Sequence, residues 1–462
     1  MKHRGRHRRR RRGRALRATL AGTALALTAA ATLISTSQAA GGDNPGGLSR
    51  VTAVAETTKL RLHENLIDRG TLDTLSRAMG GTVRVQDVLA SADHTMRDRS
   101  ACDAAETAAL PVKPAATRAY CWERGDATTT EWLPRSVTTS GDADNGGRWG
   151  SDRVVLSGWT HDDRGTGAPA ADRGLARIAF IDANDPGRLA YRWILLVAPS
   201  SGGTNFAAVR SGLSGMVWYQ DKLFVTARDS LLVFDLHRLL KANVDSTAIG
   251  RVPGGYAAHG YQYVLPTVGS YRLSGGSCSA ADDRAAPCFS ALSLDRTSTP
   301  DSLVASEWFH PGDTGRPARV WRYVFSTVPG RGGLLATDAR GDVRASEAYE
   351  TEASGVQGVL SHRRSGAAET DWYVDHAPTV DGRHGTLWRQ TTSGAKAATC
   401  AADETQACWG RHTASLSYWR ETGELWTLTE GAASGDGARA AGPAGGRVLY
   451  AVPLNAVDDA LE

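Results

Sequence analysis

"SGLSGMVWYQDKLFVTARDSLLVFDLHRLL", residues 211–240, holds three short apolar runs, "MVWY", "KLFVTA" and "SLLVFDL", broken at Gln220–Asp221 and Arg228–Asp229. Runs this short and rich in Val, Phe, Trp and Tyr, bounded by polar turns, are read as antiparallel strands. The fold turns on whether this is one hairpin or one copy of a repeating unit.

The same rhythm returns along the chain. It is present in "SVTTSGDADNGGRWGSDRVVLSGWTHDD" with "GLARIAFIDA", in "FSALSLDRTSTPDSLVASEWFHPGDTGRPARVWRYVF", in "GVLSHRRSGAAETDWYVDHAPTVDGRHGTLWR", and in "SLSYWRETGELWTLTE" with "RVLYAVPL". The first strokes fall at Val137, Met216, Phe289, Val359 and Leu416, with separations of 79, 73, 70 and 57 residues. A further β-like run precedes three of the copies: "YRWILLVAP", "YQYVLPTVGSYRL" and "DVRASEAYETEA". Four strands per unit repeated around an axis is a β-propeller. The expectation is an all-β, five-bladed β-propeller over residues 119–462, or a six-bladed one if residues 261–352 divide differently. The 13 Trp and 12 Tyr are then wedge filling between blades, Trp218, Phe224 and Phe234 among them.

Upstream, residues 1–39 run from a cationic segment through "ATLAGTALALTAAATLI" to small residues around a cut after Ala39, the order of an export signal. The paired arginines leave both the general secretory (Sec) and twin-arginine routes open. Residues 40–118 are expected to be a linker and partly helical arm, with Leu66, Leu72, Leu75 and Met79 at helical spacing and "VRVQDVLASA" as a further short element. Without residues 1–39 the chain has 43 basic and 49 acidic side chains, so the apparent pI of 8.7 does not point to nucleic acid. Six cysteines in an exported chain are expected to pair with their neighbours: Cys102 with Cys121, Cys278 with Cys288, Cys400 with Cys408. After signal removal no membrane anchor is expected, and the chain is expected to be a secreted monomer.

The phrases "GMVWYQDKLFVTARDSLLVFDL", "SLDRTSTPDSLVASEW", "GVQGVLSH" and "LSYWRETGELWTLTE" together resemble a family of exported β-propeller proteins from high-GC Gram-positive bacteria, over roughly residues 119–455. The resemblance implies fold and export, and no activity. Where that family tends to carry "PQG" and "PEDLSY", this chain has Pro134-Arg135-Ser136 and His412-Thr413-Ala414-Ser415. The likeness to gluconolactonase and regucalcin-type propellers is distant and extends to fold only.

No GxSxG elbow, HExxH or Walker loop is present, and "GDGARA" at 435–440 follows no strand. Asp142 and Asp144 occupy the first and third positions of a calcium-type loop, but Gly146 stands at the fifth and Arg153 at the twelfth, so calcium is a weak expectation and an Asx turn the plainer one. The strand starts offer Arg135, Ser214, Pro287, Gln357 and Ser415, none of them the carboxylate that a pore metal would need. Glu307, Asp371 and Asp375 are glycosidase candidates by residue type alone, with surface or turn roles favoured. These features favour a binding module over an enzyme. Its ligand or cell-envelope partner would enter the pore mouth, with Arg135 suiting an anionic group, Ser214, Gln357 and Ser415 as hydrogen-bonding partners, and His259 and His412 near strand starts. The alternative is a secreted hydrolase, lactonase-like or carbohydrate-active.

Overall fold

The computed structural model describes residues 44–461 except 163–168, 170, 280–284, 310–315, 354, 379–381 and 432–445. The expected signal segment and the "GDGARA" stretch lie outside the described residues. The rest is mostly β, organised as antiparallel meanders. The first comprises Trp132–Thr139, Val154–His161, Ala176–Asp182 and Ala190–Pro199. The second comprises Met216–Tyr219, Lys222–Ala227, Ser230–Asp235 and Tyr263–Leu273. Phe289–Asp295, Ser302–Glu307, Ala318–Val324 and Glu347–Thr351 form the third. The fourth is Val356–His362, Asp371–His376, Thr386–Thr391 and Gly394–Lys396. In the fifth, Thr413–Trp419, Glu424–Thr429 and Val448–Pro453 take their last strand from far upstream, Arg118–Cys121. The first and second sheets merge where Ile194–Val197 pairs in parallel with Tyr263–Pro266.

Each sheet's first strand packs against the first strands of its two neighbours, and the fifth packs back on the first, so the cycle is closed and propeller-like. Strand periodicity explains how it is held. In the second sheet, Met216, Trp218, Leu223, Val225 and Phe234 point into the core shared with the first sheet. The alternate residues Val217, Tyr219, Phe224, Leu231 and Val233 point into the core shared with the third. Both faces are buried, so the strands read as continuous apolar runs and not as alternating ones. Trp218, Phe224 and Phe234 are fully buried, as wedge packing requires.

The N-terminal arm encircles the ring in reverse order. Leu48 donates its N–H to Thr391 of the fourth sheet, and Ser49–Arg50 then pair with Tyr349–Glu350 of the third. Leu62–Leu66 pair with the end of the second sheet's last strand, His94–Thr95 with the first sheet's, and Arg97–Asp98 with the fifth's. The outer strands of the third, second, first and fifth sheets, which would otherwise expose unpaired main chain, are thereby covered at these positions. The arm's longest helix spans Arg69–Ala78, with Asp68 accepting from the Thr71 N–H and with Leu72 and Leu75 buried, and shorter ones form at Val54–Lys59, Val85–Ala90 and Ala104–Ala108. Leu66, expected on the same helix as Leu72 and Leu75, instead ends a strand and is exposed. Three disulfides join neighbouring cysteines, Cys102–Cys121, Cys278–Cys288 and Cys400–Cys408, the first tying the arm to the strand that completes the fifth sheet. Among the described residues no helix is long and apolar enough to cross a membrane.

Candidate functional site

Four of the five first strands carry a register shift near their start: at Pro134/Ser136, Phe289/Leu292, Val356/Gly358 and Ala414/Ser417. Bulges re-aim side chains, and here they fall on Arg135, Gln357 and Ser415. Most of this polar set is engaged within the protein. Arg135 Nη1 lies 2.9 and 2.8 Å from the two oxygens of Glu430, so its charge is already matched. Ser214 Oγ donates to the Ser290 carbonyl (2.9 Å) and meets Thr226 Oγ1 (3.0 Å), linking the second and third sheets. Ser415 is fully buried and donates to the Val137 carbonyl at 3.2 Å, linking the fifth sheet to the first. His412 is buried at φ 45° and its carbonyl accepts from the Glu430 N–H. Gln357 keeps a buried Oε1 without a hydrogen-bond partner.

His259 departs from expectation. It follows a hairpin, Ile249–Val252 with Gly255–Ala258, inserted before the second sheet's last strand, and its Nδ1 lies 3.0 Å from the Thr247 carbonyl. It therefore does not stand at the start of a first strand.

Carboxylates do reach the level of the strand starts, but from the second strands. In an antiparallel meander the end of the second strand lies opposite the start of the first. Glu307 pairs with Phe289 and Asp375 with Gly358, and Glu430 follows the strand ending at Thr429. The surface or turn roles favoured for Glu307, Asp371 and Asp375 are thus corrected, because all three are buried. Glu307 accepts from Arg319 Nε (2.8 Å) and Arg316 Nη1 (3.3 Å), and Asp371 accepts from Arg364 Nε (2.7 Å). Asp375 differs. Thr413 Oγ1 donates to its Oδ2 at 2.6 Å while Oδ1 has no partner, and no arginine or lysine pairs with it among the described residues. Burial pushes its carboxyl up to about 8, against the pull of the Thr413 hydrogen bond, with the negative charge of Glu430 adding to the rise.

The two aspartates of the calcium-type loop separate. Asp142 sits in the single turn Ser140–Ala143 at the other end of the first strands, accepting from Thr138 Oγ1 (2.7 Å) and Ser417 Oγ (2.6 Å). Burial lifts it to about 6, partly offset by those hydrogen bonds and by Arg296. Asp144 Oδ1 accepts from the Gly146 N–H at 2.7 Å, the Asx turn that was the plainer expectation.

A different space is built from residues not singled out in the sequence. Between the third and fourth sheets, beside the turns that follow their first strands, lies a solvent-open groove of about 590 Å³. That is within the roughly 300–1,000 Å³ of small-molecule sites. Its inner wall is Tyr349 packed edge-on against Trp372 (centroids 5.5 Å apart, 64°), with the Arg322 guanidinium 5.0 Å over the Trp372 ring. Arg322 is anchored by Asp295 (2.9 Å), Ser361 Oγ (2.9 Å) and Glu347 (3.2 Å). Arg363 and Glu369 stand exposed at the rim. Sequence reading missed this wall because Tyr349 and Trp372 lie in strands of two different sheets and read simply as core aromatics. The clearest signal lay in the polar turn residues "TSTP" and "HRRSGAAET" of neighbouring repeats.

No family model matches the chain, and a search of curated proteins finds no match. Among solved structures, one titled "Structure of U3-55K" aligns at 10% identity and a TM-score of 0.28, covering 70% of this chain and 97% of that one. Another, "Crystal structure of RRP9 WD40 repeats", aligns at 8% identity and a TM-score of 0.28, covering 70% and 98%. Likenesses at this level carry no argument about ligand or partner, which leaves the side chains of the ring and groove as the basis for function.

Proposed function

We propose that this chain is an exported five-bladed β-propeller that serves outside the cell as a binding module, with its ligand seated in the groove between the third and fourth blades. Each four-stranded meander is taken as one blade. The closed cycle of first strands supports five blades over six, since residues 261–352 hold the second sheet's last strand and the third sheet. Disulfides between neighbouring cysteines support an oxidising destination, and the covered outer edges support a monomer. The likeness to exported propellers of high-GC Gram-positive bacteria rests on the four phrases alone.

The observation that carries the reading is the contrast between ring and groove. At the strand starts Arg135, Ser214 and Ser415 satisfy groups of the protein itself, whereas the groove leaves Arg363 and Glu369 exposed beside room for a ligand. The hydrolase alternative is less well supported, because Glu307 and Glu430 are each held by arginine. Ligand-observed NMR with a mixed library of amino acids, short peptides, sugars and organic acids tests the proposal. At least one compound should bind the chain, lose binding in Thr392→Trp, which fills the groove from an exposed turn, and remain chemically unchanged overnight. Binding unaffected by Thr392→Trp, or conversion of the bound compound, would refute it.

A further inference from the structure

We infer that the groove between the third and fourth sheets takes a neutral, hydroxyl-rich ligand, a short stretch of saccharide chain; this deepens the proposed binding role and rests on it. Charge comes first. The charged side chains lining the groove are Arg322, Arg363, Glu347 and Glu369, two of each sign, so neither an anion nor a cation meets a matching field. Arg322 is held between Asp295 and Glu347, so turning to a ligand anion would take from the buried Asp295 its one cationic partner among the described residues and leave Glu347 with Arg50 alone. Arg363 meets no carboxylate among the described residues, its Nε donating to Thr370 Oγ1 at 3.4 Å, while Thr392 Oγ1 lies 3.3 Å from both oxygens of Glu369. The rim therefore offers a planar guanidinium, with one of its five N–H donors used by Thr370, and an acceptor carboxylate a few residues apart in one turn, ringed by hydroxyls that both donate and accept. That combination suits a ligand whose hydroxyl groups need both partners at once.

The walls narrow the choice further. Trp372 and Tyr349 are buried at 2% and 9% exposure, so they offer almost no apolar surface and no hydrophobic floor. A large apolar ligand therefore has little to bury itself against, and recognition falls to the polar groups of the rim. An extended peptide would be expected to dock by pairing with a free sheet edge. Here the outer strand of the third sheet is already paired with Ser49–Arg50, and Leu48 of the same arm lines the groove. Main-chain recognition is blocked on that side, and side-chain recognition remains.

The test uses the secreted full chain with cellotetraose, maltotetraose and tetra-N-acetylchitotetraose as probes, and tetraalanine and inorganic phosphate as comparisons, by isothermal titration and saturation-transfer NMR. At least one tetrasaccharide should bind, with affinity reduced tenfold or more in Arg363→Ala and in Glu369→Ala. Both changes are at exposed positions and should leave the melting temperature unchanged. Saccharide binding equal in these variants and the parent overturns the inference. If tetraalanine or phosphate binds and is lost in Thr392→Trp while no saccharide binds, the ligand class is wrong and the groove stands. If no probe or library compound is sensitive to Thr392→Trp, the groove itself fails and takes the inference with it.

Discussion

Asp375 gives the sharpest prediction, because its environment fixes both a sign and a size. In the folded chain its carboxyl titrates near 8, with burial as the main cause; in the unfolded chain an aspartate titrates near about 4. Below about pH 4 both states hold the proton and the site contributes nothing to the pH dependence. Above it the unfolded chain releases the proton while the folded chain keeps it, so folding is increasingly disfavoured until the folded group also ionises near pH 8. At about 1.4 kcal/mol per pH unit, the penalty that accumulates between pH 5 and 8 is about 4 kcal/mol. Asp375→Asn keeps the shape and an acceptor for the Thr413 hydroxyl, and removes the titration. Urea unfolding of parent and variant at pH 5, 6.5 and 8 should show the variant gaining on the parent by that amount as pH rises. A parent-to-variant difference that is constant across this range, within about 0.5 kcal/mol, or a carboxyl carbon NMR titration of Asp375 below pH 5, would refute the reasoning.

Other consequences follow from the same contacts. Asp142 titrates near 6, so Asp142→Asn should remove a smaller penalty of the same sign, complete by about pH 6 to 7, again read by urea unfolding. Arg135→Ala leaves the Glu430 carboxylate without its arginine partner and should cost about 1–3 kcal/mol, and the double change Arg135→Ala/Glu430→Ala should cost less than the sum in a double-mutant cycle. Phe224→Ala empties the wedge between the second and third sheets and should cost about 3–5 kcal/mol in denaturant unfolding. Removing residues 40–66 uncovers the outer edges of the second and third sheets, and light scattering should show concentration-dependent association absent from the full chain.

The repeat was legible because both faces of each sheet are buried. Val137, Met216, Phe289, Val359 and Leu416 all fall in the first strands of successive sheets, since only an uninterrupted apolar run survives between two neighbours. The covalent pairing was legible for a related reason, the six cysteines lying in three close pairs along the chain. The polar residues were harder to read. Arg135 was visible as a charge at a strand start, but its partner Glu430 lies 295 residues away, and only the return of the fifth sheet to the first brings them together. Glu307, Asp375 and Glu430 each close a second stroke in the sequence, so comparing strand ends with strand starts would have found them. The placement of Leu66 failed because helical spacing near a boundary does not compete with an open sheet edge, and pairing with Gly269 placed it in a strand.

The arm that covers those edges bears on where the protein can be read from outside. A propeller offers partners its two ends, its outer edges and the clefts between its blades. Here the outer edges carry the arm, whose strands Ser49–Arg50, Leu62–Leu66, His94–Thr95 and Arg97–Asp98 occupy main-chain groups on four sheets. At the end where the first strands begin, Glu430 neutralises Arg135 and a network of hydroxyl-to-carbonyl bonds crosses between sheets. At the other end Asp142 accepts hydroxyls from the first and fifth sheets, and Arg296 of the third binds the Asp142 carbonyl. Groups engaged in this way hold the ring closed, and withdrawing one to meet a ligand would leave a buried polar partner unsatisfied at a cost of about 1–3 kcal/mol. The cleft between the third and fourth sheets is under no such constraint at its rim, where Arg363 and Glu369 hold only weak contacts with neighbouring hydroxyls and can exchange them for those of a ligand at little cost to the fold.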